Sequence, residues 1–124
     1  QIINIEYTRD KSKKKAAYKK SKAINLKSDI DSIYTSTEKA ARWYKASVSS
    51  TKKRKAVTLS KDSVGGGFKF CVYQKGKRLK TVKVTKNDKV KTVKLPKKKG
   101  AYYVKVTKLT SKTTGAYYLG TYTY

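Results

Sequence analysis

The sequence predicts an all-β chain, an antiparallel β-sandwich with a basic N-terminal arm. Three observations carry that expectation. Apolar and polar residues alternate with a period of two in segment after segment, which is the signature of half-buried strands. Glycine, Asn-Asp and lysine-rich polar stretches punctuate those segments at short intervals. Val, Tyr, Thr and Ile dominate the residues suited to burial, although hydrophobic residues make up only 37% of the 124, and these types favour strands over helices. That length gives room for one core.

The pattern is clearest in two copies of one phrase, Gly100-Ala101-Tyr102-Tyr103-Val104-Lys105-Val106 and, fifteen residues on, Gly115-Ala116-Tyr117-Tyr118-Leu119-Gly120-Thr121. Each is a glycine turn released into a strand, with Tyr102, Val104 and Val106 inward in the first and Tyr117 and Leu119 inward in the second. The polar stretch between them reads as a hairpin connection, so the C-terminus is expected to be a β-hairpin.

Taken in order, Ile2, Ile3 and Ile5 open the chain as an edge strand running to Thr8, and residues 11–22 form a lysine-rich run without an apolar stripe. Residues 1–22 are therefore assigned as an N-terminal strand and basic arm, and residues 23–124 as the sandwich domain. Ala23, Ile24 and Leu26 mark a short strand. Residues 28–39 read as a loop with a turn of helix, anchored by Ile30 and Ile33. Its Asp29, Asp31 and Glu38 balance local lysines; two carboxylates are poor provision for calcium, which takes about 6 to 8 oxygens.

Residues 40–50 set Tyr44, Ala46 and Val48 on one face and Trp43, Lys45 and Ser47 on the other. Residues 56–60 turn Val57 and Leu59 inward, and residues 62–67 read as a permissive loop. Its Gly65-Gly66-Gly67 is not a phosphate loop, because no Gly-Lys-Ser/Thr follows and the next element is a strand. Phe68, Phe70 and Val72 line one face of that strand. Gln74-Lys75-Gly76-Lys77 is a hairpin turn, and strands at 78–85 and 89–95 are joined by Lys86-Asn87-Asp88-Lys89.

Charge is the strongest compositional signal: Lys+Arg 33 against Asp+Glu 7, a formal net charge of +26. Such an excess opposes compaction through self-repulsion and draws a protein to polyanions. A biased genome rich in lysine codons would also supply glutamate, yet only Glu6 and Glu38 occur. Arginine is confined to Arg9, Arg42, Arg54 and Arg78. The field is thus built from lysine, a hydrated point charge suited to diffuse attraction rather than to reading base edges.

If consecutive strands are antiparallel, successive turns alternate between the two ends of the sandwich. One end then receives Lys52-Lys53-Arg54, Lys75-Gly76-Lys77-Arg78 and Lys97-Lys98-Lys99. Those nine cations are the candidate polyanion-binding residues. The opposite end, with Asp62 and Asp88 among its turns, is nearly balanced. Tyr103, Tyr118, Tyr122 and Tyr124 point outward and form a candidate aromatic contact face.

Catalytic chemistry finds little to work with. The chain has no histidine, which removes the commonest general base and any Ser-His-Asp or Cys-His mechanism. No clustered Cys, His or carboxylate set provides a metal site, and no cofactor motif is present. Cys71 is the single cysteine, so it forms no intramolecular disulfide and reads as a small buried hydrophobe in its strand. No segment approaches the roughly 18 apolar residues of a membrane span. Beginning at Gln1 without a signal peptide, the chain reads as a mature product or an excised piece.

In their order, Arg42-Trp43-Tyr44-Lys45, Val57-Thr58-Leu59, Val72-Tyr73 before Lys75-Gly76-Lys77, Leu95-Pro96-Lys97-Lys98-Lys99-Gly100, Tyr102-Tyr103-Val104-Lys105-Val106 and Gly115-Ala116-Tyr117-Tyr118-Leu119 resemble the bacterial pre-peptidase C-terminal domain. The resemblance spans residues 23–124. It implies a jelly-roll-like β-sandwich, non-catalytic, in a secreted or cell-surface bacterial setting. Collagenase members of that family bind collagen and calcium, but this chain lacks their run of acidic ligands and neither property is carried over.

Three function classes remain. The leading expectation is binding of anionic envelope polymer, teichoic acid or acidic lipid headgroups, through the lysine-rich end. The alternatives are a cationic antimicrobial or toxin-like effector, and an adhesion module recognising a protein such as collagen through the tyrosines. Nucleic acid is expected to bind only non-specifically, as to any protein of such charge.

Overall fold

The computed structural model describes residues 19–26, 30–33, 41–85 and 87–124. After one 3-10 turn at Lys20–Lys22, nine strands follow: β1 Ile24–Asn25, β2 Ile30–Ile33, β3 Arg42–Val48, β4 Lys55–Gly65, β5 Phe68–Gln74, β6 Lys77–Val84, β7 Val90–Lys94, β8 Gly100–Lys108 and β9 Thr114–Thr123. They form a five-stranded sheet of order β1-β3-β8-β5-β6 and a four-stranded sheet of order β2-β9-β4-β7. The fold is an all-β, jelly-roll-like sandwich. Every pairing is antiparallel except that of β1 with β3. The expected strand and arm at residues 1–18 lie outside the described residues.

Alternation produces the core as the sequence analysis expected. Tyr44, Ala46 and Val48 of β3, Phe68, Phe70 and Val72 of β5, and Tyr102, Val104 and Val106 of β8 face Val57, Leu59, Val93, Tyr117 and Leu119 of the other sheet, all buried. Removing each large side chain from water contributes about 1.5–3 kcal/mol. Cys71 is buried too, its Sγ 3.6 Å from the Thr81 hydroxyl. Less expected is Arg42, which starts the same inward row and is fully buried, so it does not contribute to the exposed positive field.

The two repeated phrases do not pair as a hairpin. β8 lies between β3 and β5 in one sheet, whereas β9 lies between β2 and β4 in the other. Each phrase is apolar on one face only, and both faces must be covered. Placing the strands in opposite sheets lets those faces meet across the core, about 10 Å apart. The connection of residues 109–113 therefore arches from sheet to sheet. The true hairpin joins β5 to β6 through Lys75 and Gly76, both at positive φ (52° and 78°), the conformation of a type I′ turn.

Two expected loops are strands. Residues 30–33, read as part of a loop, pair with β9 from Ile30↔Leu119 to Ile33↔Ala116. Residues 62–65 extend β4, with a register shift between Asp62 and Gly65 and a last pair at Gly65↔Thr114. In both places β9 supplies an open edge, and backbone pairing to it outweighs weak local propensity. The loop between β4 and β5 shrinks to Gly66-Gly67.

Across the core the Tyr44 and Tyr117 hydroxyls are hydrogen-bonded at 2.6 Å, their rings edge-on at 84°, and Phe68 packs on Tyr117 at 5.0 Å. This polar bond in an apolar interior ties the sheets together. Tyr44→Phe is expected to lower unfolding free energy by about 1 kcal/mol. Urea denaturation should show a lower midpoint at unchanged slope, and the Tyr44→Phe/Tyr117→Phe double variant should lose less than the sum of the single losses.

Candidate polyanion-binding site

Register places the turns. Val48, at the end of β3, pairs with Gly100 at the start of β8. Gln74 pairs with Lys77 across the β5–β6 turn, and Lys55 at the start of β4 lies beside Thr123 and next to the Ala56↔Lys94 pair. Turns 49–54, 75–76 and 95–99 therefore share one end of the sandwich. Turns 66–67, 85–89 and 109–113 share the other.

The basic end is braced from within. The Arg54 Nε–H donates to the Leu95 carbonyl at 3.0 Å, and the Leu95 N–H donates to the Lys55 carbonyl at 2.8 Å, joining the first turn to the third. The hydroxyl of buried Tyr102 donates to the Lys98 carbonyl at 2.8 Å, fixing the turn that carries Lys97, Lys98 and Lys99. Gln74, leading into the middle turn, approaches Gly100 so closely that a Cβ there would stand 3.0 Å from its amide nitrogen. Lys52, Lys53, Lys75, Lys77, Arg78, Lys97, Lys98 and Lys99 are exposed, whereas Arg54 is half-buried and serves the brace. No carboxylate occurs within residues 49–54, 75–78 or 95–99.

At the opposite end a fixed negative charge sits among the turns. The Asp88 carboxylate accepts from the Thr85 N–H and the Thr85 hydroxyl, both at 2.9 Å. Those bonds, the backbone one foremost, hold its carboxyl below the usual aspartate value, and Lys91 and Lys61 act in the same sense. The charge persists to lower pH than in a free aspartate, and Lys91 stands 3.9 Å away.

The outward tyrosines do not form one face. Tyr103 belongs to β8 and the five-stranded sheet, while Tyr118, Tyr122 and Tyr124 lie on the outer side of β9 and its short extension in the four-stranded sheet. The cause is the sheet-to-sheet arch between β8 and β9. Tyr122 and Tyr124 remain together, ring centroids 5.8 Å apart and each about half exposed (48% and 50%). Tyr124 is locked to Arg54 by reciprocal backbone bonds of 3.0 and 2.9 Å, and the Lys94 ammonium lies 5.6 Å from its ring. This pair is thus at the rim of the basic end.

Tyr103 instead joins a lattice that single-strand reasoning missed. On the outer face of the five-stranded sheet the ammoniums of Lys20 and Lys45 lie 4.8 and 5.9 Å from the Tyr103 ring, Lys105 lies 5.5 Å from Trp43, and Trp43 meets Tyr73 at 5.4 Å. Burial pushes the Tyr73 phenol above its ordinary 10.0, helped by Cys71 and opposed by Arg78. The signal was present in the alternation of Trp43 and Lys45, but their partners follow only from strand order. Lysine ammoniums thereby lie over the Tyr103 and Trp43 rings.

Among the described residues no group of three or more His, Cys, Asp or Glu is placed to hold a metal ion, and no helix is long and apolar enough to cross a membrane. Neither protein-family models nor curated proteins give a match to the sequence. Solved structures do. The pre-peptidase C-terminal domain of collagenase from Bacillus anthracis aligns at 17% identity and TM-score 0.59, covering 81% of this chain and 92% of that one. A family 35 carbohydrate binding module from an environmental isolate aligns at 16% identity and TM-score 0.52, covering 74% and 72%. The chain has a pre-peptidase C-terminal-like fold.

Proposed function

We propose that a protein with this fold and charge is a non-catalytic, secreted or cell-surface bacterial module that binds anionic envelope polymer, teichoic acid foremost, through its lysine-rich end. The observation that carries the reading is the convergence of three carboxylate-free basic turns on one end of the sandwich. There eight of the nine cations are exposed on braced turns at the same end, where they act together on a repeating anion. Lysine suits the task, because a hydrated ammonium on a flexible stem follows a mobile polymer without demanding bidentate geometry. Collagen binding through four tyrosines loses support, since Tyr103 is on the other sheet. An effector acting on foreign membranes would use the same cations, and leakage from anionic vesicles separates it from a binding module.

Isolated cell walls test the reading. The chain is expected to be retained on walls that carry teichoic acid and to wash from walls stripped of it at low salt. Equal retention on both would overturn the assignment.

A further inference from the structure

A cleft opens beside the basic end where the edge of the sandwich is thinnest. β1 has only two residues, and its parallel ladder on β3 ends with Asn25↔Lys45. The Leu26 N–H then donates to the Lys45 carbonyl at 2.7 Å, and the Thr121 hydroxyl reaches the Leu26 carbonyl at 3.5 Å. Beyond that point no strand among the described residues pairs with the outer edge of β3. The result is a cleft of about 570 Å³ whose lining includes Asn25, Lys45, Ser47, Ser49, Lys55 and Thr121. Lys55 spans it from one sheet to the other, its ammonium donating to the Ser47 carbonyl at 2.6 Å.

We infer that this cleft binds a single anionic sugar unit of the polymer held by the basic end, an inference that rests on the proposed function. The donor set is specific in kind. Its lining residues supply the Lys55 ammonium, three hydroxyls and one carboxamide, with Leu26 as the apolar member and no carboxylate, while the Lys45 ammonium leans toward the Tyr103 ring. Lysine answers a phosphate or carboxylate group, and hydroxyls and the amide answer the hydroxyls of a sugar ring. The carbonyl of Ser47 takes one of the three ammonium donors of Lys55, which holds the group in place and leaves two for a ligand. The volume lies within the range of about 300–1,000 Å³ typical of small-molecule sites, larger than one inorganic anion needs. A smaller cleft of about 140 Å³ shares Ser49 and Lys55 and adds Lys53. That continuity leads from the basic turns into the cleft, so a polymer lying across the end delivers one unit to it.

Titration of the labelled full chain, followed by amide NMR shifts, tests the inference with glucose 6-phosphate as probe and glucose and inorganic phosphate as controls. Saturable shifts at Lys45, Ser47, Ser49 and Lys55 are expected with glucose 6-phosphate, at concentrations at least tenfold below those needed for either control. Lys55→Met should abolish saturation, while glutamine at Lys97, Lys98 and Lys99 leaves it intact. Phosphate alone acting as strongly as glucose 6-phosphate, or shifts spread equally over residues 97–99, would overturn the site. Because the probe is a small molecule, saturation here with no retention on cell walls refutes the envelope reading alone; retention without saturation refutes the cleft alone.

Discussion

Replacing Lys97, Lys98 and Lys99 together with glutamine is expected to weaken binding to teichoic acid about a hundredfold. A lysine near an anionic surface contributes roughly 1 kcal/mol, and three such losses amount to two decades in affinity. The control removes equal charge elsewhere: Lys83, Lys89 and Lys112, exposed residues toward the opposite end, should cost less than about threefold at an ionic strength where the Debye length is near 10 Å. Both variants should keep their melting temperature within a few degrees, since substitutions at exposed sites usually change stability by less than about 0.5 kcal/mol. Equal losses of affinity would mean that net charge alone drives binding and that the arrangement of turns is incidental.

Gly67→Ala is expected to be the most damaging small substitution at the opposite end, costing about 3 kcal/mol and lowering the melting temperature by roughly 12 °C. A Cβ on Gly67 would overlap the Val84 carbonyl oxygen and press on the Thr85 backbone. Neither neighbour is the tip of a flexible side chain. Gly67 also anchors two arches between the sheets: its N–H donates to the hydroxyl of buried Thr113 at 3.1 Å, and its carbonyl accepts from that hydroxyl at 2.8 Å and from the Leu109 N–H at 2.9 Å. Gly76→Ala makes the comparison. Nothing lies within 4 Å of a Cβ there, and only its positive φ of 78° resists the change, at a cost of about 1 kcal/mol. Thermal melts of the two variants check the ranking. Comparable losses would show that the close approach at Gly67 relaxes without cost.

Most strands, and which way their side chains point, were legible from alternation alone, because burial on one face of a strand leaves a period of two in the sequence. β2 and the last residues of β4 were not, since pairing to β9 rather than local pattern makes them strands. Which strands lie side by side was not legible. The polar stretch after Lys108 suits a tight hairpin or an arch equally well, and only the need to cover both Tyr102-Val104-Val106 and Tyr117-Leu119 decides between them. That ambiguity divided the tyrosines between sheets and hid the meeting of Trp43 with Tyr73. Turn alternation survives such errors, since any antiparallel succession sends turns to alternate ends whether or not neighbours pair. Arg42 shows the converse limit: its place in the inward row was visible, but a charged residue is rarely assigned to a core. The cleft residues Lys45 and Lys55 come together through the parallel β1–β3 pairing and the crossing between sheets, which no spacing encodes.

The most direct measurement of the central claim is the affinity for purified teichoic acid across a salt series, for the unaltered chain and for the two triple-glutamine variants. Counterion release predicts a steep linear fall of log affinity with log salt concentration. The Lys97, Lys98 and Lys99 variant should be shallower by about 2 to 3 in slope, and the Lys83, Lys89 and Lys112 variant should keep the original slope. A flat dependence for the unaltered chain, or the same slope for all three proteins, would contradict recognition by the basic end.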